Sequence, residues 1–247
     1  MAERRVLVTG SSRGIGRAIA LRLARDGWQI ALHYGFDADE AENTRVALGR
    51  SCSGVYQADL SNPAEAPVLW RNALAGGPIH ALVNNAGVYM PIDFTSSGDA
   101  AFAANYHRTF AINLESPVAL MREAAKHFLA EGGGRILNVA SRVGFRGEGG
   151  AAFYAASKAA LINMTRSLAV ELAAKNIQLF GIAPGWVETA MAREGMETRL
   201  PEILSGIPVG RMANPEDCAG AAAFLLSDEA TYLSGITIDI NGASYFH

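Results

Sequence analysis

Cysteine is nearly absent: Cys52 and Cys218 are the only two in 247 residues. No further cysteine or histidine stands at ligand spacing from them and the five histidines are scattered. Neither a disulfide framework nor a metal centre is therefore indicated, and both thiols are expected to be inert in a reducing compartment. Charge of one sign is lacking as well. Against 21 Lys and Arg stand 24 Asp and Glu, for a net charge of −3 and an isoelectric point near 6.0. Without a basic run, there is no electrostatic footprint of a nucleic-acid or anionic-lipid binder. No apolar stretch is long enough to span a bilayer, and Arg4 and Arg5 precede only Val6, Leu7 and Val8 before Thr9 and Gly10, far short of a signal-peptide core. The expectation is a cytoplasmic protein that handles a small molecule. Half of the residues are hydrophobic, enough to bury one large core without a covalent staple.

Short apolar runs alternate with amphipathic stretches along the chain. Strands are predicted at 5–9, 29–33, 55–57, 80–84, 135–139, 178–182 and 236–240, and helices at 15–25, 39–48, 64–74, 99–130 and 153–175, the fourth helix bent at Pro117. Strands separated by helices pair in parallel through right-handed crossovers. The fold class expected is therefore α/β, a doubly wound, parallel seven-stranded sheet of the Rossmann type in one domain spanning 1–247. Ligands of such sheets bind beyond the carboxyl ends of the strands. The connection 184–212, with Gly185, Gly195, Pro201, Gly206 and Gly210, reads as an irregular lid over that edge.

Several groups with chemical uses follow strand ends. The first turn, Thr9-Gly10-Ser11-Ser12-Arg13-Gly14-Ile15-Gly16, spaces its glycines one residue wider than the usual dinucleotide fingerprint. It still offers a tight turn at Gly10, backbone N–H groups at a helix start near Gly14, and close packing at Gly16. Farther on come Asn84-Asn85-Ala86-Gly87, then Asn113, then Ser141 after the fifth strand, and Tyr154-Ala155-Ala156-Ser157-Lys158. Four residues along a helix put Tyr154 and Lys158 on one face, where a cation lowers the phenol pKa toward neutrality and suits it to exchange protons with an alcohol or carbonyl. Taken singly, each has a plainer reading: a structural turn, or an ordinary amphipathic pair.

Together, and in this order, these residues resemble the short-chain dehydrogenases/reductases over nearly the whole chain, with Asp59-Leu60 after the third strand and Pro184-Gly185 followed by Thr189 completing the pattern. The resemblance implies a nicotinamide-dependent oxidoreductase acting on CH–OH groups. It makes Tyr154 the general acid/base and Ser141 the holder of the carbonyl oxygen. Lys158 serves phenol and nicotinamide ribose, and Asn113 continues a proton path through water. It also implies a cofactor surface of Gly10, Ser12, Arg13, Gly14, Ile15, Gly16, Gly35, Asp59, Leu60, Asn85, Ala86, Gly87, Pro184, Gly185, Val187 and Thr189, joined by Tyr154 and Lys158.

Family members that use NAD usually end the second strand with an Asp. Here the position holds Tyr34, followed by Gly35 and Phe36, and Arg13 matches a basic residue of NADP-using members, so NADP(H) is expected over NAD(H). The substrate is expected to be a small carbonyl or alcohol, on the pattern of the 3-oxoacyl carrier-protein reductase branch. Around it are expected Arg142, Phe145, Arg146 and Glu148 on one side, and Tyr89, Met90, Ile92 and Phe94 on the other. Glu131-Gly132-Gly133-Gly134 stands at one of the places where carrier-using enzymes are basic, leaving chiefly Lys175. The alternatives are an NAD-dependent sugar, polyol or secondary-alcohol dehydrogenase and a catalytically silent dinucleotide-binding regulator. A homotetramer is expected, through the helices over 99–130 and 153–175, with apolar Ala119, Phe128, Leu129, Ala156, Ala160, Ile162, Met164, Leu168 and Leu172, and through the last strand with Tyr245-Phe246-His247.

Overall fold

The computed structural model describes residues 4–193 and 200–247. Seven strands form one sheet: β1 (Arg5–Val8), β2 (Gln29–Tyr34), β3 (Cys52–Gln57), β4 (Ala81–Asn84), β5 (Gly134–Val139), β6 (Ile177–Pro184) and β7 (Thr237–Ile240), in the order β3-β2-β1-β4-β5-β6-β7. Every pairing is parallel. Helices α1 (Gly14–Arg25), α2 (Ala38–Leu48), α3 (Glu65–Ala75), α4 (Asp99–Phe110), α5 (Ser116–Glu131), α6 (Ala152–Leu172), α7 (Ala190–Arg193), α8 (Leu200–Ser205) and α9 (Pro215–Leu225) connect them. The order reverses beside β1, whose neighbours are β2 and β4, so a crevice opens beyond the carboxyl ends of those strands.

The alternation of side chains along each strand divides the core in two. Val6 and Val8 of β1, with Phe180 and Ile182 of β6, pack under α1, α2 and α9. Leu7 and Leu179 point to the opposite face, against Trp70 of α3, Phe128 of α5 and Leu161 of α6. Both faces are buried, as a parallel sheet requires. Cys52 and Cys218 form no disulfide, and burial pushes the Cys218 thiol up to about 12. Among the described residues no helix is long and apolar enough to cross a membrane.

Four expectations need correction. β3 begins three residues early, because a register shift between Ile30 and Ala31 lets Cys52 pair with Ile30 and Gly54 with Ala31. The long helix over 99–130 is interrupted by a π turn, Ala111–Glu115, ahead of Pro117. Pro117 follows it at once, in the first turn of α5. Helix α9 has no counterpart among the predicted helices, because its 219–223 run of alanines and glycine is apolar all round and leaves no stripe. Its start is marked instead by Pro215 in the first turn and by Asp217, whose Oδ2 accepts the Asn214 N–H at 2.8 Å. Finally, within 184–212, α7 and α8 and a small cluster of Ile203, Ile207 and Met212 against Trp186 and Leu204 replace an irregular strap. Val187 is bridged to Ala213, and Gly195 lies outside the described residues.

Of the apolar residues expected on an outward face, Phe128 and Leu172 belong to the chain's own core and Ile162 is buried too. Ala119, Met164 and Leu168 pack partly against that core, and Ala156 and Leu129 are exposed.

Candidate active site

A cleft of about 530 Å³ runs along the carboxyl edge of the sheet. The turn from β1 into α1 forms one wall. Gly14 adopts φ +56, with Thr189 against it, and a Cβ on Gly16 would fall 2.3 Å from the Gly10 carbonyl oxygen and 2.4 Å from Asn85 Nδ2. Only glycine lets α1 start this close to the turn. Asn85 holds the same turn from the β4 side, its Nδ2 donating to the carbonyls of Thr9 at 2.8 Å and Gly10 at 3.0 Å, while Thr9 Oγ1 accepts the N–H groups of Asn85 and Ala86. Arg13 occupies the N-cap of α1 without a capping side-chain bond, and no acidic residue lies in the first turn. The free N–H groups and positive end of the helix dipole at this point fit a pyrophosphate.

His33, near the end of β2, carries no motif of its own in the sequence. It is 2% exposed. Its Nδ1 accepts the Gly10 N–H at 3.0 Å, so the proton sits on Nε2, 3.2 Å from the Ala58 carbonyl. The ring thereby joins the glycine-rich turn to the end of β3. Burial lowers its pKa from 6.5 to about 4, against the opposing pull of the Ala58 carbonyl. The unfolded chain protonates this residue near pH 6.5 and the folded chain only near 4, so stability is complete above 6.5 and falls as the pH drops between those values. The loss should reach about 3 kcal/mol. Urea unfolding at pH 7 and pH 4.5 checks this, and His33→Gln should flatten that part of the slope. An equal slope in both proteins contradicts the assignment.

The opposite wall carries the chemistry. Ser141 follows β5 and precedes a 3-10 turn, Arg142–Gly144, accepting the Val143 N–H at 3.4 Å. Tyr154, on the first turn of α6, hydrogen-bonds Ser141, and its ring meets Tyr89 edge-on at 5.1 Å. Although part of the ring faces the cleft, the protein around it desolvates the phenolate. That drives the pKa up to about 12, against the Ser141 bond and with help from Tyr89 and Glu148. Lys158 lies one turn along, Nζ 5.7 Å from the centre of the Tyr154 ring and donating to the Val139 carbonyl at 2.8 Å. Burial lowers its pKa to about 8. The phenol is thus shifted upward, opposite to the expected direction, with desolvation by burial the largest cause. Ladders of polar side chains fix this wall, with Asn84 donating to Asn138 and Asn138 to Thr165 of α6, each at 2.9 Å.

Of the expected site residues, all but Gly16 and Asn113 line the cleft. Gly16 sits beneath the turn. Asn113 is buried in the π turn, its Oδ1 accepting the Val88 N–H at 2.8 Å and its Nδ2 donating to the Val88 carbonyl at 2.9 Å and to Ser157 Oγ at 3.3 Å. Of the substrate-side residues, Arg142, Glu148 and Tyr89 line the cleft, while Phe145, Arg146, Met90, Ile92 and Phe94 do not. Phe145 is covered by the tail, stacking with His247 at 3.7 Å, and Met90 has its carbonyl on Asn105. Beside Gly35, Phe36 and Asp37 line the cleft as well, and so do Arg108 and Trp186, which no motif contains. Trp186 stands in Pro184-Gly185-Trp186-Val187, where its position beside the motif was the available signal. The others depend on how loops converge.

A doubly wound sheet, a glycine-rich turn with free N–H groups at a helix start, and a Ser, Tyr and Lys on the facing wall define a dinucleotide-dependent oxidoreductase. The family model described as Enoyl-(Acyl carrier protein) reductase matches residues 10–243. An acetoacetyl-CoA reductase of Allochromatium vinosum is 36% identical over 246 residues, 98% of each chain. Two solved structures superpose over nearly their full length. A 3-ketoacyl-(acyl-carrier-protein) reductase from Brucella melitensis complexed with NADH has TM-score 0.90 and 29% identity, covering 100% of both chains. A blue fluorescent protein from a metagenomic library, in complex with NADPH, has TM-score 0.89 and 33% identity over 98% of each. The chain belongs to the short-chain dehydrogenase/reductase family, enzymes that move hydride between a nicotinamide dinucleotide and a carbonyl or alcohol.

Proposed function

We propose that this protein is an NADP(H)-dependent ketone reductase of the 3-oxoacyl type, acting on a small carbonyl compound in the cytoplasm. One observation carries the reading: Tyr154, protonated over the whole ordinary pH range, bonded to Ser141 and one turn from Lys158 in a single cleft. Bound cofactor supplies the hydride. As negative charge builds on the carbonyl oxygen, the Tyr154 hydroxyl gives it a proton and Ser141 steadies the same oxygen. Lys158, with a pKa of about 8, stands ready to restore charge balance at the phenol and to hold the nicotinamide ribose. Asn113 and Lys158 flank Gly87, where a Cβ would come 3.3 Å from Asn113 Oδ1 and 3.4 Å from Lys158 Nζ. That proximity supports a water-borne proton path past Asn113, which also orients Val88 and, through Ser157, the start of α6.

Spectrophotometric assay of NADPH and NADH consumption across a panel of ketones, aldehydes and thioesters tests the reading. Turnover of none of them would favour a silent dinucleotide-binding protein. Among enzymes, an NAD-dependent polyol or secondary-alcohol dehydrogenase draws support from Asp37, a carboxylate that lines the cleft next to Gly35 and Phe36 and caps α2 by accepting the Glu40 N–H. Exposed Arg13 favours the 2′-phosphate instead. Arg13→Ala should raise the NADPH dissociation constant by the equivalent of roughly 1.5 to 3 kcal/mol, the worth of a charge-assisted contact, and leave NADH binding nearly as it was. Equal weakening of both in a fluorescence titration would mean that Arg13 only shapes the turn.

We also propose a homotetramer and a lid over 184–212. For the first, the support is the outward face of α6, where Ala152, Ala156, Ala159 and 87%-exposed Val170 remain uncovered. Ala156→Glu should dissociate the assembly and reduce activity, because Tyr154 and Lys158 ride on the same helix. Sedimentation at micromolar concentration reads the outcome, and a fully active monomer of the unaltered protein would overturn it. For the lid, the support is its separate small core and the presence of Met191, Ala192 and Ile203 along the cleft.

A further inference from the structure

We infer that Arg142 forms an anion subsite in the reaction cleft, which makes free oxo acids, with a carboxylate near the reacting ketone, the preferred substrates. The inference rests on the oxidoreductase reading above and names the substrate class for it.

Two buried arginines of this chain make the argument by contrast. Arg5 is 4% exposed and spends its guanidinium on four partners: Ser53 Oγ at 2.6 Å, the carbonyls of Ala73 at 2.6 Å and Gly77 at 2.8 Å, and Tyr56 Oη at 2.9 Å. It is a structural cation with its donors satisfied. Arg142 is 8% exposed, yet its one hydrogen bond within the described residues runs from Nη1 to Ser244 Oγ at 3.0 Å. Glu148 Oε2 lies 3.7 Å from Nη2, close enough to neutralise charge and too far for a hydrogen bond. The Trp186 ring sits 5.7 Å from the guanidinium carbon. Five N–H donors are available on a guanidinium, so most of this fork is unused.

Arg142 follows Ser141 directly in sequence and lines the same cleft as Ser141, Tyr154 and Trp186. Burial draws its pKa down, with Glu148 opposing, as befits a cation held away from bulk water without a full set of partners. A planar fork of this kind matches a carboxylate bidentately. Glu148 supplies charge balance without occupying the donors, and it stands among Gly147, Gly149 and Gly150, three positions where an added Cβ would meet nothing within 4 Å. It therefore has room to yield to a second carboxylate.

The test compares 2-, 3- and 4-oxo acids of short chain with their methyl esters, and with a 3-oxoacyl-CoA thioester, at saturating NADPH and NADH. For at least one chain length, kcat/KM for the acid should exceed that for the ester by ~10-fold or more. Arg142→Met should collapse this acid-to-ester ratio by ~10- to 150-fold, the worth of a charged hydrogen-bonded contact, with Arg142→Lys intermediate, because a point charge replaces the fork. Glu148→Gln should raise the ratio by removing the competing carboxylate. Esters or thioesters that equal or outperform the acids in the unaltered protein, at every chain length, overturn the subsite while leaving the reductase reading intact. This comparison does not depend on any variant folding. Calorimetric titration of the same acids and esters into the protein loaded with oxidised cofactor gives a second readout without turnover. Tighter binding of the acids that Arg142→Met removes supports the subsite, and equal affinity for acid and ester overturns it.

Discussion

Tyr154→Phe should lower turnover by roughly two to four orders of magnitude, the usual loss when a positioned proton donor is removed, while the fold and cofactor binding stay nearly unchanged. The substitution deletes one oxygen atom. The ring that packs edge-on against Tyr89 is kept, and the removed hydroxyl has Ser141 as its partner, a residue that also accepts the Val143 N–H and stays anchored. With the phenol pKa at about 12, the donor is protonated throughout the pH range in which the protein can be assayed. Any fall in ketone reduction above pH 8 must then come from another group. Lys158, at about 8, is that group. Steady-state kinetics from pH 6 to 10 check both points. Retained activity in Tyr154→Phe would remove the phenol from the reaction, and an inflection that follows Tyr154 and not Lys158 would overturn the assignment of the titration near 8 to Lys158.

Lys158→Met should separate activity from stability. Burial lowers the Lys158 pKa from 10.5 to about 8, so between these values the unfolded chain holds a proton that the folded chain releases. Folding is therefore less favourable below pH 8 than above 10.5, by about 3 kcal/mol. Methionine keeps the aliphatic stem and removes the buried charge, which relieves that cost. Against it stands the lost bond to the Val139 carbonyl, 2.8 Å from Nζ, worth about 1.5 to 3 kcal/mol for a charged donor. The two nearly cancel, and stability at pH 7 should stay within about 1 kcal/mol of the unaltered protein. Turnover, by contrast, should fall at least ~100-fold, cofactor binding should weaken, and the pH inflection near 8 should vanish. Urea unfolding beside kinetics reads all four. A large loss of stability with turnover intact would mark the ammonium as a structural strut.

Much of the fold was legible because local signals agreed with global ones. β1, β4 and β6 are nearly uninterrupted apolar runs, as strands buried on both faces must be, and α1 and α5 carry clear stripes. The failures have local causes. α9 is apolar on every side, so a period could not be seen in it. The break before α5 is a backbone π turn around Asn113, which no residue type announces, and it lies directly ahead of Pro117. The wide apolar surface read on α5 and α6 was partly an illusion of counting, since Phe128 and Leu172 turn inward.

The alternation of short apolar runs with amphipathic stretches determined by itself the class of fold, and the order Gly10 to Gly16, Asn84 to Gly87, Asn113, Ser141, Tyr154 and Lys158 carried the resemblance to the family and marked the edge of the sheet where a dinucleotide belongs. Tertiary structure alone decided the electrostatics. That Tyr154 is held up at about 12, that Lys158 is drawn down to about 8 and that His33 stays neutral between Gly10 and Ala58 all follow from how much protein surrounds each group. The same holds for Arg142, whose sequence neighbours do not reveal that Ser244, a hundred residues away, is its one hydrogen-bonding partner among the described residues. Desolvation is a property of the packed neighbourhood, assembled from distant segments, and it sets which of these side chains carries a charge.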